Sequence, residues 1–285
     1  MSDSRTSCTS ALPCSVSLTS YGVTIRLRAS DEDLLAEARY CSVRALVGNV
    51  GFIEIDTFAD HEFGIWSDET GRLHLSKNGE ALSYDDLRPR FFKFFDSMLR
   101  ITVAEHAVGR VFVHAGAVGY NGKAIIVPGD SFCGKTTLTG ELVKLGADYY
   151  SDEYAVLDER GLLHPFAREL SYRKWTGDTV AGANVSVQDF GGRVGRDPIP
   201  VALVVITRYE PEARSDLVKV TRGNGMLEVI PHTISRNFKP EFSLKVLNTV
   251  LADAIILKGP RGEAADFADT ILNFFDNASN LATIT

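Results

Sequence analysis

The segment that decides the fold reads Ala124-Ile-Ile-Val-Pro-Gly129-Asp-Ser-Phe-Cys-Gly134-Lys135-Thr136-Thr137-Leu138. Apolar residues and a proline come first, the pattern G-x-x-x-x-G-K-T follows, and a helical pattern then begins. A strand before and a helix after are the context in which this pattern predicts a phosphate-binding loop, or P-loop. The alternative is a glycine-rich strand-to-helix turn that matches by chance, and both flanking segments argue against it.

A P-loop predicts that the chain binds a nucleoside triphosphate together with Mg²⁺. Glycines let backbone N–H groups approach phosphate oxygens, and the helix N-terminus adds partial positive charge. Lys135 is expected to reach the outer phosphates, and the Thr136 hydroxyl is expected to ligate Mg²⁺. The predicted nucleotide-binding residues are Gly129, Asp130, Ser131, Phe132, Cys133, Gly134, Lys135, Thr136 and Thr137.

Composition excludes several classes of protein. The 285 residues are 45% hydrophobic and 24% charged, which is ordinary for a soluble globular chain of one large or two modest domains. A net charge of −7 argues against a general nucleic-acid binder. No apolar run approaches the roughly 18 residues that span a membrane. We therefore expect no nucleic-acid partner and no membrane. The four cysteines show no metal-ligand spacing, and a reduced cytoplasmic compartment fits them best.

Three domains are expected along the chain. Residues 1–20 are rich in Ser and Thr and predict a flexible tail. Residues 21–109 predict a small N-terminal α+β module in which Ser83 caps a long helix from Tyr84 to about Val108. Residues 110–285 are expected to form the P-loop domain.

Two segments of the last third predict irregular structure near the nucleotide. Residues 177–200 are rich in Gly and Asp and predict a mobile loop where a substrate could dock, or else a disordered surface loop. Residues 258–262, Lys-Gly-Pro-Arg-Gly, predict a basic turn. Arg208-Tyr209 ends a predicted buried strand and could face the nucleotide. Arg208, Lys258 and Arg261 could neutralise phosphate or be ordinary turn or surface charges.

A predicted hairpin brings a histidine to the P-loop. The Asn-Gly dipeptide at 121–122 is a strong signal for a two-residue hairpin turn. Such a turn pairs Tyr120 with Lys123 and fixes the register of both strands. Counting back along the strands places His114 opposite Gly129. We therefore expect His114 beside the phosphate site as a charge or hydrogen-bond partner, with a buried structural histidine as the alternative.

Two carboxylates are predicted to return to the same place. The helix that begins at Lys135 is predicted to carry Leu138, Leu142 and Leu145 on one face and to stop at Gly146. Residues 148–151 then run back as a short strand. Asp152 and Glu153 follow at the end of that strand, level with the P-loop. One acid can bind the metal and the other can take the proton from an incoming hydroxyl. A solvated acidic turn is the alternative reading of this pair.

The sheet around the P-loop is expected to be mixed. Residues 154–157 and 162–165 are separated by the turn Asp158-Glu-Arg-Gly161, which predicts a tight β-hairpin rather than a strand–helix–strand crossover. The predicted fold class is therefore α/β, with a P-loop and a mixed sheet that contains many antiparallel strands.

At this point the residues resemble the HPr kinase/phosphorylase family, whose fold is related to phosphoenolpyruvate carboxykinase. That family carries a histidine in a strand, a hairpin into G-x-S-x-x-G-K-S/T, a helix ending in glycine, and a short strand ending in two carboxylates. The matching residues are His114, Gly129, Ser131, Gly134, Lys135, Thr136, Gly146, Asp152 and Glu153. The resemblance implies a phosphoenolpyruvate carboxykinase-like fold.

The same resemblance implies roles for these residues. Lys135 and Thr136 would handle phosphate and Mg²⁺, His114 would belong to the catalytic group, and the acidic pair would supply the base for a serine hydroxyl. The family usually has Asp-Asp, whereas the second acid here is Glu153. The downstream L-E-I-R-G-like segment of bifunctional members is matched only loosely at residues 168–173, which argues against the phosphorylase reaction and against HPr itself as the substrate.

The sequence therefore predicts an ATP- and Mg²⁺-dependent kinase that phosphorylates a serine of a protein or peptide. Its predicted catalytic residues are His114, Lys135, Asp152 and Glu153, and its predicted metal ligands are Thr136 and Asp152. The alternative is a nucleotide-binding switch or accessory ATPase without a protein acceptor, and a weaker option is a small-molecule kinase or carboxykinase-like enzyme. Whether the chain forms a homo-oligomer stays open.

Overall fold

The chain folds into two compact units, residues 1–108 and residues 109–285, in a computed structural model. The structure describes residues 12–53, 58–130, 133–176 and 179–282, with only the backbone described at 171–176, 179–183, 190 and 278–282. Within these ranges no helix is both long and apolar enough to cross a membrane.

The described part of the first unit forms a six-stranded sheet in the order β3-β1-β2-β4-β5-β6, with two helices. Its elements are β1 (Cys14–Ser20), β2 (Val23–Ala29), α1 (Glu32–Ala45), β3 (Gly51–Ile53), β4 (His61–Ser67), β5 (Leu73–Lys77), β6 (Glu80–Asp85) and α2 (Arg88–His106). The pairing of β2 with β4 is parallel and the other pairings are antiparallel. Apolar residues of both helices pack with the strands in one core.

Two predictions for this unit are wrong. The flexible tail cannot extend to residue 20, because β1 pairs along its whole length with β2 and buries Val16 and Leu18. Residues 1–11 of that predicted tail lie outside the described residues. The long helix does not begin at Tyr84, because residues 80–85 pair with β5 as a strand. Helix α2 starts at Arg88 with a proline in its first turn, where proline is favoured.

The second unit contains the P-loop. Its described residues form eleven strands, nine in one sheet and two in a separate sheet. Its strands are β7 (Val111–Tyr120), β8 (Lys123–Pro128), β9 (Asp148–Ser151), β10 (Tyr154–Leu157), β11 (Leu162–His164), β12 (Leu170–Thr176), β13 (Thr179–Val185), β14 (Arg193–Val194), β15 (Ile199–Tyr209), β16 (Val218–Lys219) and β17 (Ile255–Arg261). Its helices are α3 (Lys135–Lys144), α4 (Arg222–Val229), α5 (Pro240–Asp253) and α6 (Ala264–Ala282), with 3-10 helices at Val187–Phe190, Ile230–His232 and Ile234–Asn237. β12 and β13 form a separate two-stranded sheet.

The sheet is mixed, which confirms the predicted α/β fold class. β7 is antiparallel to β8, β9 and β10, whereas β15 is parallel to both β8 and β17. Helices cover both faces: α3 and α6 pack on one side of β8, and α5 packs on the other. This layering fixes the start of α3, and with it the P-loop, at one edge of the sheet.

Three details of the second unit differ from the prediction. Residues 179–185 pair with β12 and residues 193–194 pair with β9, so the predicted irregular loop at 177–200 is wrong for the described residues. Residues 258–261 continue β17 rather than forming a basic turn, because their parallel pairing with β15 runs on to Arg261. Leu145 is 43% exposed rather than on the inner face of α3, because the helix ends at Lys144 and Gly146, with φ +101°, turns the chain away.

Gly116 allows α3 to pack closely on β7, and its replacement tests that packing. A Cβ at Gly116 would lie 2.5 Å from the Thr139 hydroxyl oxygen, and Thr139 is almost fully buried. We expect Gly116→Ala to lower the melting temperature by about 3 °C or more, as overpacking of about 1 kcal/mol would. The control is Gly223→Ala, whose added Cβ meets nothing within 4 Å. Equal melting temperatures for Gly116→Ala and the wild type would contradict this close packing.

Candidate active site

The P-loop connects the end of β8 to the start of α3. Gly129 and Asp130 follow the strand, Gly134 precedes the helix, and the predicted binding residues Ser131 and Phe132 lie outside the described residues. Gly134 has a φ of +82°, and a Cβ there would lie 2.2 Å from Nη2 of Arg261. The left-handed conformation therefore favours glycine at the helix start, and a larger residue would also displace the Arg261 guanidinium.

Lys135 begins α3 with its side chain folded back on the loop. Its Nζ donates to the carbonyl oxygens of Gly129 at 3.0 Å and Asp130 at 2.6 Å, and the residue is only 6% exposed. Burial lowers the pKa of Lys135. The two carbonyls occupy two of the three ammonium donors, so a phosphate oxygen can use the third donor or replace a carbonyl.

Thr136 and Asp152 join the loop to the end of β9. The Thr136 hydroxyl donates to Oδ2 of Asp152 at 2.9 Å, and the Tyr149 hydroxyl donates to Oδ1 at 2.8 Å. Both oxygens of this nearly buried carboxylate are therefore fixed. Burial, together with the Asp152 charge, raises the pKa of Tyr149 well above its usual value, so the phenol stays a donor.

The Thr136 hydroxyl and the Asp152 carboxylate together fit a magnesium ion. Mg²⁺ is usually held by one or two protein oxygens together with nucleotide phosphates and water, rather than by an all-protein cage. The hydroxyl of Thr136 and the carboxylate of Asp152 are hard oxygen donors already within 2.9 Å of each other. In the ranges that the structure describes, no group of three or more His, Cys, Asp and Glu side chains could hold a metal by themselves.

The predicted hairpin that carries His114 is confirmed. Tyr120 pairs with Lys123, and the Gly129 N–H donates to the carbonyl oxygen of His114 at 3.2 Å. On the other side of β7, the Ala115 N–H donates to the Glu153 carbonyl oxygen at 3.1 Å. The strand that carries His114 thus lies between the P-loop and the acidic pair.

The His114 ring is uncharged at neutral pH. Burial lowers the pKa of His114 to about 4, and the nearby Lys135 ammonium acts in the same direction. Of the two roles predicted for this residue, the hydrogen-bond partner suits the uncharged ring that this environment favours at pH 7.

This depressed pKa predicts an acid-sensitive fold. The folded-state pKa of His114 lies below the ordinary value of 6.5. The contribution of His114 to the free energy of unfolding is therefore constant above that pH and falls as the pH drops toward 4. We expect the wild type to lose about 1 to 2 kcal/mol of unfolding free energy more than His114→Gln does between pH 7 and pH 5, after allowance for screening. Denaturant unfolding at both pH values measures the difference. Its size also reflects Lys135, Glu153, His232 and Asp130, whose charges act on the ring. Identical pH slopes would contradict the depressed pKa.

Glu153 stands beside an arginine. Its Oε2 lies 3.6 Å from Nη1 of Arg168, and its side chain is 31% exposed. Arg168 is the first residue of segment 168–173, which loosely matches the L-E-I-R-G-like segment of the family that the sequence resembles. The side chains of Ser171 and Arg173, which continue that segment, are outside the description. The partner of Glu153 is thus a cation that the sequence alone did not assign to it.

A second histidine also reaches the loop. Nδ1 of His232 lies 3.3 Å from Oδ1 of Asp130, and burial lowers the pKa of His232. The next residue, Thr233, forms a bridge with Val113 on β7, one residue before His114. Sequence reasoning missed His232, because it belongs to no recognisable motif.

Arg261 supports the loop from the neighbouring strand. Its Nη2 donates to the carbonyl oxygen of Cys133 at 2.9 Å, and the residue is 3% exposed. Burial lowers the pKa of Arg261. Lys258, by contrast, pairs with Glu228 at the surface, as an ordinary surface charge would. The basic segment therefore contributes one side chain to the loop.

The structure brings most of the predicted residues together around the loop: His114, Gly129, Asp130, Cys133, Gly134, Lys135, Thr136, Asp152 and Glu153. Thr137 follows them in the first turn of α3. No family model matches the chain, and no curated protein matches it. Fold and site together define a mixed α/β protein with a P-loop flanked by two carboxylates and a histidine.

Proposed function

We propose that the protein is an ATP- and Mg²⁺-dependent kinase that transfers the γ-phosphoryl group of ATP to a serine hydroxyl of a protein or peptide. The observation that carries the proposal is the 2.9 Å hydrogen bond between Thr136 and Asp152, with Glu153 next in the chain. A metal-binding oxygen pair and an adjacent carboxylate beside a phosphate loop are the groups that phosphoryl transfer to a hydroxyl uses.

The groups around the phosphates have separate tasks in this proposal. Bound Mg²⁺ would supply charge stabilisation at the phosphate oxygens, held by Thr136 and Asp152. Tyr149 keeps the Asp152 carboxylate in place through its 2.8 Å hydrogen bond. Lys135 would exchange its two loop carbonyls for phosphate oxygens, and its burial strengthens that charge interaction.

Glu153 is the proposed general base. As the serine oxygen bonds to the γ-phosphorus, the bond from that phosphorus to the bridging oxygen breaks and ADP leaves. The hydroxyl proton passes to the Glu153 carboxylate. His114, uncharged at neutral pH, would act as a hydrogen-bond partner for the phosphoryl group. A cytoplasmic location, where ATP and reduced thiols occur together, belongs to the same proposal.

One observation favours the alternative of a nucleotide switch or accessory ATPase. The guanidinium of Arg168 lies 3.6 Å from Oε2 of Glu153, and a carboxylate oxygen that contacts an arginine is less available to an incoming hydroxyl. The kinase proposal therefore requires that acceptor binding weakens this ion pair.

The test is incubation of the protein with ATP radiolabelled at its γ-phosphate, with cell extract and with peptides encoded by neighbouring genes. Label on a serine of a protein or peptide supports the kinase, whereas free phosphate alone supports the alternative. Asp152→Asn should lose the transfer. The matched control is Asp148→Asn at the other end of β9, where Asp148 pairs with Arg193 at the surface.

A further inference from the structure

Three parallel strands end at the same edge of the sheet as the P-loop. β8 runs directly into the loop, β15 ends at Tyr209 and β17 ends at Arg261. Tyr209 and Arg261 are register partners across the last two strands. In open α/β sheets, ligands bind outside the carboxyl ends of parallel strands. Any nucleotide held by the loop therefore has these two residues at the edge where it binds.

Arg261 connects the Tyr209 ring to the loop. Its guanidinium donates to the Cys133 carbonyl oxygen at 2.9 Å, and its Cζ lies 5.3 Å from the centre of the Tyr209 ring. The arginine is almost fully buried between them. The Tyr209 ring is thus separated from the loop backbone by one fixed side chain.

The Tyr209 ring is exposed but held in place. The residue is 42% exposed, so part of Tyr209 is open to solvent. Arg261 lies over the ring, and the Tyr209 hydroxyl donates to Oε1 of Glu263 at 2.9 Å. An aromatic ring that is fixed by two contacts and still open to solvent is suited to stack against another planar group.

We infer that Tyr209 stacks against the base of the nucleotide bound at the P-loop, and that Arg261 holds the ring against the loop. The inference rests on the proposed function and assigns the base subsite of the same site. Stacking accepts any base, because every base has a π face. The subsite is therefore a source of affinity for nucleotides over inorganic polyphosphate.

Calorimetric titration with ATP and with inorganic tripolyphosphate tests the inference. We expect Tyr209→Ala to bind ATP about tenfold more weakly or worse, with tripolyphosphate affinity unchanged. Tyr209→Phe keeps the ring and should bind ATP within about threefold of the wild type. The control is Tyr84→Ala, a tyrosine of the first unit that is 61% exposed and should bind ATP as the wild type does.

The two ligands separate the possible results. Unchanged ATP affinity in Tyr209→Ala would overturn the inference and leave the proposed function standing. An equal loss of ATP and tripolyphosphate affinity in Tyr209→Ala would also overturn it, because the ring would then act only on the loop. A wild-type chain that binds neither ligand would overturn the inference and the proposed function together.

Discussion

Lys135→Ala is expected to lose ATP binding while keeping the fold. The Lys135 ammonium is buried against two loop carbonyls, and the cost of burying that charge already lowers its pKa. Removing the charge also removes that cost, so the melting temperature should stay within about 3 °C of the wild type. Loss of a buried cation that contacts phosphate should weaken ATP binding at least about 100-fold. Calorimetric titration and thermal unfolding measure the two effects.

The same helix supplies a matched control. Lys144 lies in the last turn of α3, is half-exposed and pairs with Glu141. Lys144→Ala removes an equal charge from the same element and should bind ATP as the wild type does. ATP affinity of Lys135→Ala within about threefold of the wild type would mean that the loop does not bind phosphate through this lysine.

The parts of the site that could be predicted are those written in short stretches of sequence. The Asn-Gly turn is a local signal, and with a strand period of two it fixes the partner of every residue back to His114. Asp152 follows from the length of one helix and the strand that returns after it. Each step concerned neighbouring elements, so little had to be known about the rest of the fold.

The missing parts depend on contacts between distant segments. Arg261 was predicted only as a possible phosphate partner, and its hydrogen bond to the Cys133 carbonyl spans 128 residues. His232 reaches Asp130 from a 3-10 helix after α4. No local pattern encodes such distances. The wrong secondary-structure predictions have a related cause, since residues 80–85 and 179–185 become strands by pairing with a neighbour. Tertiary pairing there outweighs the local cap or loop signals.

Burial has a consistent effect on the titratable groups around the loop. It lowers the pKa of His114 and Lys135 and raises the pKa of Tyr149, so each uncharged form is favoured. A site that disfavours charge in this way strengthens the interactions of charges that do enter it, including those of a triphosphate with the loop.

Glu153→Gln is expected to abolish phosphoryl transfer while ATP binding is retained. The substitution keeps the size of the side chain but removes the carboxylate that would accept the serine proton. Loss of a general base should slow transfer about 10²- to 10⁴-fold. ATP affinity should stay within about threefold, because the phosphates are assigned to Lys135 and the loop. Labelled-phosphate transfer to the acceptor found in extract, together with calorimetric titration, measures both quantities.

Two further variants make the assignment specific. Glu159→Gln alters a half-exposed glutamate that pairs with Lys245 on the surface, and it should transfer phosphate at the wild-type rate. Glu153→Asp restores a carboxylate one methylene shorter and should recover part of the transfer that Glu153→Gln loses. If Glu153→Gln transferred phosphate as fast as the wild type, Glu153 would not be the base. The ion pair with Arg168 would then be the role that remains for it.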